Sequence, residues 1–155
     1  MKKFILYMLC MFFSFPLYAQ NDFKNLDTET IDLIIDFGKT YLGRTYVYGG
    51  CNSSQGFDCS GFIHYIFKMG GFELPRSSAE IHKIGAKVDL AQLKKGDLLF
   101  FNTSNRAAIS HVGIVSKIDT DQIVMLHVSS SKGVQEIDIL KSDYWYARFI
   151  KAQSL

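Results

Sequence analysis

The chain has 155 residues, of which 48% are hydrophobic, and its formal net charge is +2 at neutral pH. This length is enough for one domain with a buried core and too short for two ordinary domains. The near balance of charge argues against a strongly basic nucleic-acid-binding protein, so we expect no nucleic-acid partner.

The first twenty residues have the pattern of a secretory signal peptide. Met1–Lys3 is a short basic start, residues 4–15 are almost wholly apolar, and Ala19 offers a small residue for cleavage. The apolar run is shorter than a membrane-spanning helix needs, so we expect no stable membrane insertion of the mature chain. Lipidation at Cys10 is an alternative that the bulky preceding residues disfavour. Cleavage removes two lysines and no acid, which leaves the mature chain about neutral.

Three helices are predicted before residue 86. Behind Asp27, apolar residues recur at helical spacing. A second helix begins with Asp58 as its N-cap and ends at a pair of glycines. Ser77 and Glu80 have the spacing of a capping box for a short third helix. The segment 44–56 between the first two helices is predicted as an extended stretch followed by a polar loop.

The second half of the chain changes to residue types that favour β-strands. Residues 96–101, 111–118 and 122–129 are rich in β-branched and aromatic side chains, and Asp119–Asp121 forms a short turn between the last two runs. The run 133–140 is a further candidate strand. Helices followed by strands predict an α+β domain, in which N-terminal helices pack on a C-terminal antiparallel β-sheet.

Cys59 occupies the first turn of the second predicted helix. A helix N-terminus and a nearby imidazolium both favour the reactive thiolate form of a cysteine. His111 and His127 flank the turn between two adjacent predicted strands almost symmetrically, so they are candidate cross-strand neighbours. If His111 takes the proton from Cys59 and His127 orients His111, the three residues follow the nucleophile, base and orienter arrangement of cysteine peptidases.

Cys59 also admits roles that involve no catalysis. Cys51 and Cys59 are the two cysteines of the mature chain, so a disulfide between them is one alternative, with or without a redox role. A merely buried Cys59 is a second alternative. A zinc site is not expected, because the cysteines and histidines lack a short paired-ligand spacing.

Six short motifs, in order, resemble those of the NlpC-type bacterial cell-wall peptidases, a papain-like group of cysteine endopeptidases. The motifs are YVYGG, GFDCSGF, LPRSS, GDLLFF, SHVGI and HVSSSKGV, within residues 31–150. The resemblance implies a papain-like α+β fold, with a peptidase domain over residues 21–155. It further implies Cys59 as the nucleophile, His111 as the general base and His127 as the residue that orients the base. Cys51 departs from the family pattern.

The resemblance also implies a substrate and candidate substrate contacts. The contacts are Tyr48 (or Tyr46, if the register differs), Asp58, Ser60 and Arg76. The family hydrolyses peptidoglycan stem peptides without a metal or other cofactor, commonly between γ-D-glutamate and diaminopimelate or lysine. Some single-domain members instead cut the D-alanyl to diaminopimelate cross-link, and a non-catalytic wall-binding module is a less favoured alternative. We therefore expect a secreted monomer that acts in the periplasm or outside the cell.

Overall fold

The computed structural model describes residues 23–104, 106 and 108–155. The expected signal peptide, including Cys10, lies outside these residues. The helices are α1 (Thr28–Lys39), α2 (Cys59–Met69), α3 (Ser78–Ile81) and α4 (Asp143–Tyr146), with 3-10 turns at Phe23–Asn25 and Leu90–Gln92. The strands are β1 (Cys51–Asn52), β2 (Gly56–Phe57), β3 (Ala86–Val88), β4 (Leu98–Phe101), β5 (His111–Asp119), β6 (Gln122–Ser129), β7 (Gly133–Asp138) and β8 (Phe149–Ser154).

Six strands form one antiparallel sheet in the order β3-β8-β4-β5-β6-β7. The strands from β4 to β7 follow one another in sequence and in space, whereas β8 returns to pair between β3 and β4. Strands β1 and β2 form a small separate hairpin. Helices packed on an antiparallel sheet confirm the predicted α+β class.

The sheet separates two hydrophobic clusters. Along β4, Leu98 and Phe100 belong to one cluster, while Leu99 and Phe101 belong to the other, because successive side chains of a strand point to opposite faces. The first cluster also contains the buried faces of α1 and α2, which cover that side of the sheet. The second cluster is closed partly by Trp145 from α4. No described helix has both the length and the apolar character to cross a bilayer.

Two of the three predicted helix starts are confirmed, and each has a side-chain cap. The Asp27 side chain accepts a hydrogen bond from the Thr30 backbone N–H at 2.8 Å, and Asp58 caps α2 in the same way. The capping box predicted for the third helix is wrong. Ser77 makes no side-chain cap bond, and Glu80 instead pairs with Lys83 at 2.8 Å. This helix is a single turn, so tertiary packing rather than its cap holds it in place.

The structure differs from the sequence prediction at short elements. The stretch predicted as a polar loop after Gly50 contains the β1–β2 hairpin. Neither β3 nor β8 was predicted, and β7 ends at Asp138 rather than at residue 140. β3 is a largely exposed edge strand of three residues, and β8 lacks regular alternation of buried and exposed positions. Both therefore lack the period-two signal on which strand prediction depends.

Candidate active site

Strands β5 and β6 bring two histidines into contact. His111 begins β5, His127 lies on β6, and the Nε2 atom of His111 is 3.0 Å from the Nδ1 atom of His127, which is hydrogen-bond distance. The predicted cross-strand neighbourhood is therefore confirmed. Gly113 makes this approach possible, because a Cβ atom there would collide with Met125 and lie 3.0 Å from the Cβ atom of His127.

Helix α2 brings Cys59 to the same place. Cys59 is the first residue of the helix, and its Sγ atom lies 3.9 Å from the carbonyl oxygen of Ser110, directly before His111. Cys59 and His111 both line a cleft of about 440 Å³. The fold thus places the predicted nucleophile and the predicted base in one cavity. Because the Nε2 atom of His111 contacts His127, Nδ1 is the ring nitrogen that remains for proton transfer with the thiol.

The surroundings of the pair favour neutral side chains. Burial, followed by the Asp58 carboxylate, raises the pKa of the Cys59 thiol, although backbone N–H groups of Val112, Ser60 and Cys59 act in the opposite direction. Burial, followed by the neighbouring His127, lowers the pKa of His111 well below its ordinary value. Desolvation thus opposes the thiolate that the helix N-terminus favours, and both shifts favour a thiol beside a neutral imidazole.

Trp145 closes the histidine pair against the second hydrophobic cluster. Its ring centroid lies 4.7 Å from the ring centroid of each histidine, at 38° to the His111 ring and 79° to the His127 ring. Burial lowers the pKa of His127 to about 4. No periodic pattern in the sequence ties Trp145 to the distant strands β5 and β6, so its contact with the two histidines was not predicted.

Three of the predicted substrate contacts, Asp58, Ser60 and Arg76, form one hydrogen-bond network around the start of α2. Arg76 donates two parallel hydrogen bonds to the Asp58 carboxylate, at 2.9 and 2.7 Å, and a third to the Ser60 hydroxyl at 3.1 Å. Asp58 also accepts from the backbone N–H of Gly61 at 2.7 Å, as the N-cap of α2. A bidentate guanidinium–carboxylate pair is geometrically specific, so this network fixes the start of α2 and the position of Cys59. Their contact with substrate stays a prediction.

A two-glycine loop docks on the same helix end. The Asp58 backbone N–H donates to the Gly50 carbonyl at 2.9 Å, and the Gly49 N–H donates to the Asp58 carboxylate at 3.0 Å. Arg76 also donates to the Gly50 carbonyl at 3.1 Å. A Cβ atom on Gly61 would collide with that carbonyl oxygen, so the second glycine of the motif GFDCSGF is required by close backbone approach.

The two candidate tyrosines are placed differently. Tyr46 lines the cleft with Cys59, whereas the Tyr48 side chain is 91% exposed and is not part of the cleft lining. Burial raises the pKa of the Tyr46 phenol, and the neighbouring Cys59 and Asp58 act in the same direction. Tyr46, the residue expected if the motif register shifts, is therefore the tyrosine beside the candidate nucleophile.

Cys51 lies beside this network without joining Cys59. Both cysteines are free thiols in the structure, so the disulfide alternative is not formed. The Asp58 carboxylate, and to a smaller extent Cys51, raise the pKa of Arg76, which places the Cys51 side chain next to the guanidinium. Among the described residues, no cluster of His, Cys, Asp and Glu has an arrangement that could hold a metal ion.

Acidification is expected to weaken the fold through the buried histidines. The pKa of His127 falls from 6.5 to about 4 on folding, so between these values the unfolded chain binds more protons than the folded one. The contribution of His127 to the free energy of unfolding is fully present above pH 6.5 and is lost as the pH falls toward 4, by roughly 3 kcal/mol. His111 contributes in the same direction. Urea unfolding midpoints measured at intervals between neutral and mildly acidic pH give this slope.

The His127→Gln variant tests this assignment, because it removes one buried imidazole. Its unfolding free energy should fall less steeply with acidification than that of the wild type. The Cys59→Ala variant retains both imidazoles and should keep the wild-type slope. Equal slopes in all three proteins would contradict a histidine origin of the acid sensitivity.

The fold and the cleft together define a papain-like domain, with a cysteine at a helix N-terminus beside histidines of an antiparallel sheet. The sequence pattern of the NlpC/P60 family matches residues 43–154. The chain therefore belongs to the NlpC/P60 family.

Individual relatives agree with this membership. The chain is 35% identical over 154 residues to a γ-DL-glutamyl hydrolase of Bacillus subtilis, which covers 99% of this chain and 37% of that protein. It is 35% identical over 138 residues to the murein DD-endopeptidase MepS/murein LD-carboxypeptidase of Escherichia coli, which covers 87% of this chain and 69% of that protein. The chain thus spans little more than a third of the length of the first relative.

Solved structures support the fold directly. A Staphylococcus aureus protein of the NLP/P60 family, described as similar to a lipoprotein, superposes with a TM-score of 0.70 at 30% sequence identity. The match covers 82% of this chain and 41% of that protein. The α+β, papain-like architecture predicted from the sequence is thereby confirmed.

Proposed function

We propose that this protein is a cysteine endopeptidase that hydrolyses stem peptides of peptidoglycan, at the bond between γ-D-glutamate and diaminopimelate or lysine. The observation that carries the proposal is the arrangement of three side chains. Cys59, at the N-terminus of α2, shares a cleft with His111, whose Nε2 atom is 3.0 Å from His127. This arrangement supports Cys59 as the nucleophile, His111 as the base and His127 as the orienting residue.

The proposed roles require a particular tautomer of each histidine. His111 must accept the Cys59 proton at Nδ1, so its Nε2 atom carries a hydrogen that is donated to Nδ1 of His127. His127 then holds its own proton at Nε2, which is buried without a hydrogen-bond partner among the described residues. An unpaired buried donor costs about 1–3 kcal/mol, which stable packing elsewhere must offset.

The reaction proceeds by acyl transfer. As Sγ of Cys59 attacks the scissile carbonyl carbon, His111 Nδ1 takes the thiol proton and then gives it to the departing amine as the carbon–nitrogen bond breaks. The resulting thioester is hydrolysed by water, which His111 deprotonates, and Cys59 leaves as the thiol. Backbone N–H groups in the first turn of α2 are available to stabilise the oxyanion, because they lack intrahelical partners.

The choice of bond follows the relatives. The Bacillus subtilis relative is named a γ-DL-glutamyl hydrolase, which supports cleavage after γ-D-glutamate. The Escherichia coli relative is named a murein DD-endopeptidase and LD-carboxypeptidase, which supports D,D cross-link cleavage as the second candidate.

We further propose that the peptidase domain spans residues 21–155 and that residues 1–20 direct secretion. The protein then works outside the cytoplasmic membrane as a monomer.

Digestion of purified peptidoglycan by the protein, followed by mass spectrometry of the released fragments, tests the proposal. Fragments with a new N-terminus at diaminopimelate or lysine are expected. Loss of cross-linked dimers without stem cleavage would establish the D,D alternative instead. The Cys59→Ala variant is the negative control. The proposed activity would be overturned if this variant still cleaved peptidoglycan, or if reduced wild-type protein did not.

A further inference from the structure

The charge inside the cleft is carried by one side chain. Of the described residues that line the cleft, Lys132 alone has a formal charge when His111 is neutral, and none is acidic. The rest of the lining is rich in hydroxyl groups, contributed by Tyr46, Thr103, Ser110, Ser129, Ser130, Ser131, Ser142 and Tyr144. A cavity with one cation and many hydroxyl donors suits an anionic group of a ligand.

Lys132 is available to such a group. Its side chain is exposed, and no acidic side chain lies within ion-pair distance of it in the part of the chain that the structure describes. The other cation near the candidate nucleophile, Arg76, is already bound to Asp58 through two hydrogen bonds. A substrate carboxylate can therefore pair with the Lys132 ammonium, whereas the Arg76 guanidinium is already paired with the Asp58 carboxylate.

The backbone of Lys132 is held in place. Its N–H donates to the Ser129 hydroxyl at 3.0 Å, and Gly133 pairs with Ser129 across the β6–β7 turn. Val134 exchanges hydrogen bonds with the segment before β1, donating to the Arg44 carbonyl at 2.9 Å and accepting from Gly43 at 2.8 Å. An anchored backbone lowers the entropy lost when the side chain binds a ligand.

The same turn directly follows the strand that carries His127. Ser129 lies two residues after His127 on β6, so both side chains leave the strand on the same face, and Ser129 lines the cleft. Lys132 follows on the anchored turn directly after this strand. Cys59, His111 and Lys132 thus line one cleft, so a substrate bound at the candidate nucleophile shares that cleft with the lysine.

We propose that Lys132 binds a free carboxylate of the stem peptide next to the scissile bond and selects against substrates in which that carboxylate is amidated. The inference rests on the proposed function and specifies its substrate. The stem peptide carries two candidate carboxylates, one on each side of the scissile amide. One is the α-carboxylate of γ-D-glutamate, and the other is the side-chain carboxylate of diaminopimelate. The chemistry that Lys132 recognises is the same in both.

Three synthetic stem peptides separate the two sources. The parent is L-alanyl-γ-D-glutamyl-diaminopimelyl-D-alanine, the second is amidated at the γ-D-glutamate α-carboxylate, and the third is amidated at the diaminopimelate side-chain carboxylate. The protein is expected to lose about tenfold in kcat/KM, mainly through KM, on one of the amidated peptides, because a charge-assisted hydrogen bond is lost. The peptide that suffers this loss identifies the carboxylate.

Variants at Lys132 complete the test. In Lys132→Gln, kcat/KM for the parent peptide should fall to the wild-type value for the affected amidated peptide. Lys132→Arg should retain most of the wild-type preference for the parent peptide. Lys87→Gln, on the opposite edge of the sheet, removes an equal charge and should behave as the wild type. Equal rates on all three peptides in the wild type, or an equal loss on every peptide in Lys132→Gln, would overturn the assignment.

Binding separates this inference from the proposed activity. In a Cys59→Ala background, calorimetric titration with the parent peptide should show about tenfold weaker binding when Lys132 is also changed to Gln. If the wild type cleaves none of the peptides, the proposed activity fails, and unchanged binding on loss of Lys132 then overturns the carboxylate site separately. If Lys132→Gln weakens binding of the parent peptide in the Cys59→Ala background, the carboxylate site is supported even when no peptide is cleaved.

Discussion

Replacing His111 with glutamine is expected to lower kcat for stem-peptide hydrolysis by about 10⁴-fold, the scale found when one member of a nucleophile, base and orienter set is removed. The loss should be this large because burial and Asp58 raise the pKa of Cys59, which disfavours thiolate formation without a base. Glutamine retains much of the volume in the buried pocket against Trp145. The rate of fragment release from a defined stem peptide measures the effect.

Non-additivity gives a sharper form of the same test. Cys59→Ala and His111→Gln act on one proton-transfer step, so the double variant should be no slower than the slower single variant. His64→Gln is the matched control, because His64 lies outside the cleft, with its Nδ1 atom 2.6 Å from the Leu74 carbonyl oxygen. Retention of more than about a tenth of wild-type kcat in His111→Gln would exclude His111 as the general base.

Replacing Gly61 with alanine is expected to destabilise the fold by about 2–3 kcal/mol, even though alanine is the better helix former by about 1 kcal/mol. The new Cβ atom would collide with the Gly50 carbonyl oxygen and lie 2.9 Å from an Arg76 guanidinium nitrogen. The carbonyl belongs to backbone that Asp58 and Arg76 both hold by hydrogen bonds, so it has little freedom to move. Urea unfolding at neutral pH measures the change.

A second helical glycine provides the comparison. At Gly38 in α1, a Cβ atom would meet only side-chain ends, at 3.0 Å from Leu126, 3.3 Å from Phe62 and 3.4 Å from Ile66. These ends adjust more easily than backbone, so Gly38→Ala should stay within about 1 kcal/mol of the wild type. Equal effects of Gly61→Ala and Gly38→Ala on the free energy of unfolding would show that the backbone around the Gly50 carbonyl can move away from α2.

Long elements with a regular pattern were predictable from the sequence. The apolar spacing behind Asp27, the Asp58 cap and the runs that became β5 and β6 are all local signals, and each element formed where its pattern lies. The symmetric placement of His111 and His127 about a short turn also sufficed to predict their contact, because a tight turn determines which residues face each other. The motif order was sufficient for the family, which the match over residues 43–154 confirms.

Short and distant elements were not predictable. Strands β3 and β8 have weak patterns of their own and exist because they pair with each other and with β4. The Ser77 capping box failed for the same reason, since a one-turn helix follows the packing of its neighbours. Long-range pairing also decided that Tyr46 rather than Tyr48 lines the cleft, and that Trp145 packs on both histidines.

Patterns within short stretches of the chain were enough to establish the type of fold, the family and the identity of the three candidate catalytic side chains. The electrostatic state of those side chains depends instead on the folded surroundings. A helix N-terminus predicts a thiolate at Cys59, but burial beside Asp58 favours the thiol, and burial against Trp145 keeps His111 and His127 neutral. Desolvation depends on everything that surrounds a group, so it is set by contacts between residues that are far apart in the chain.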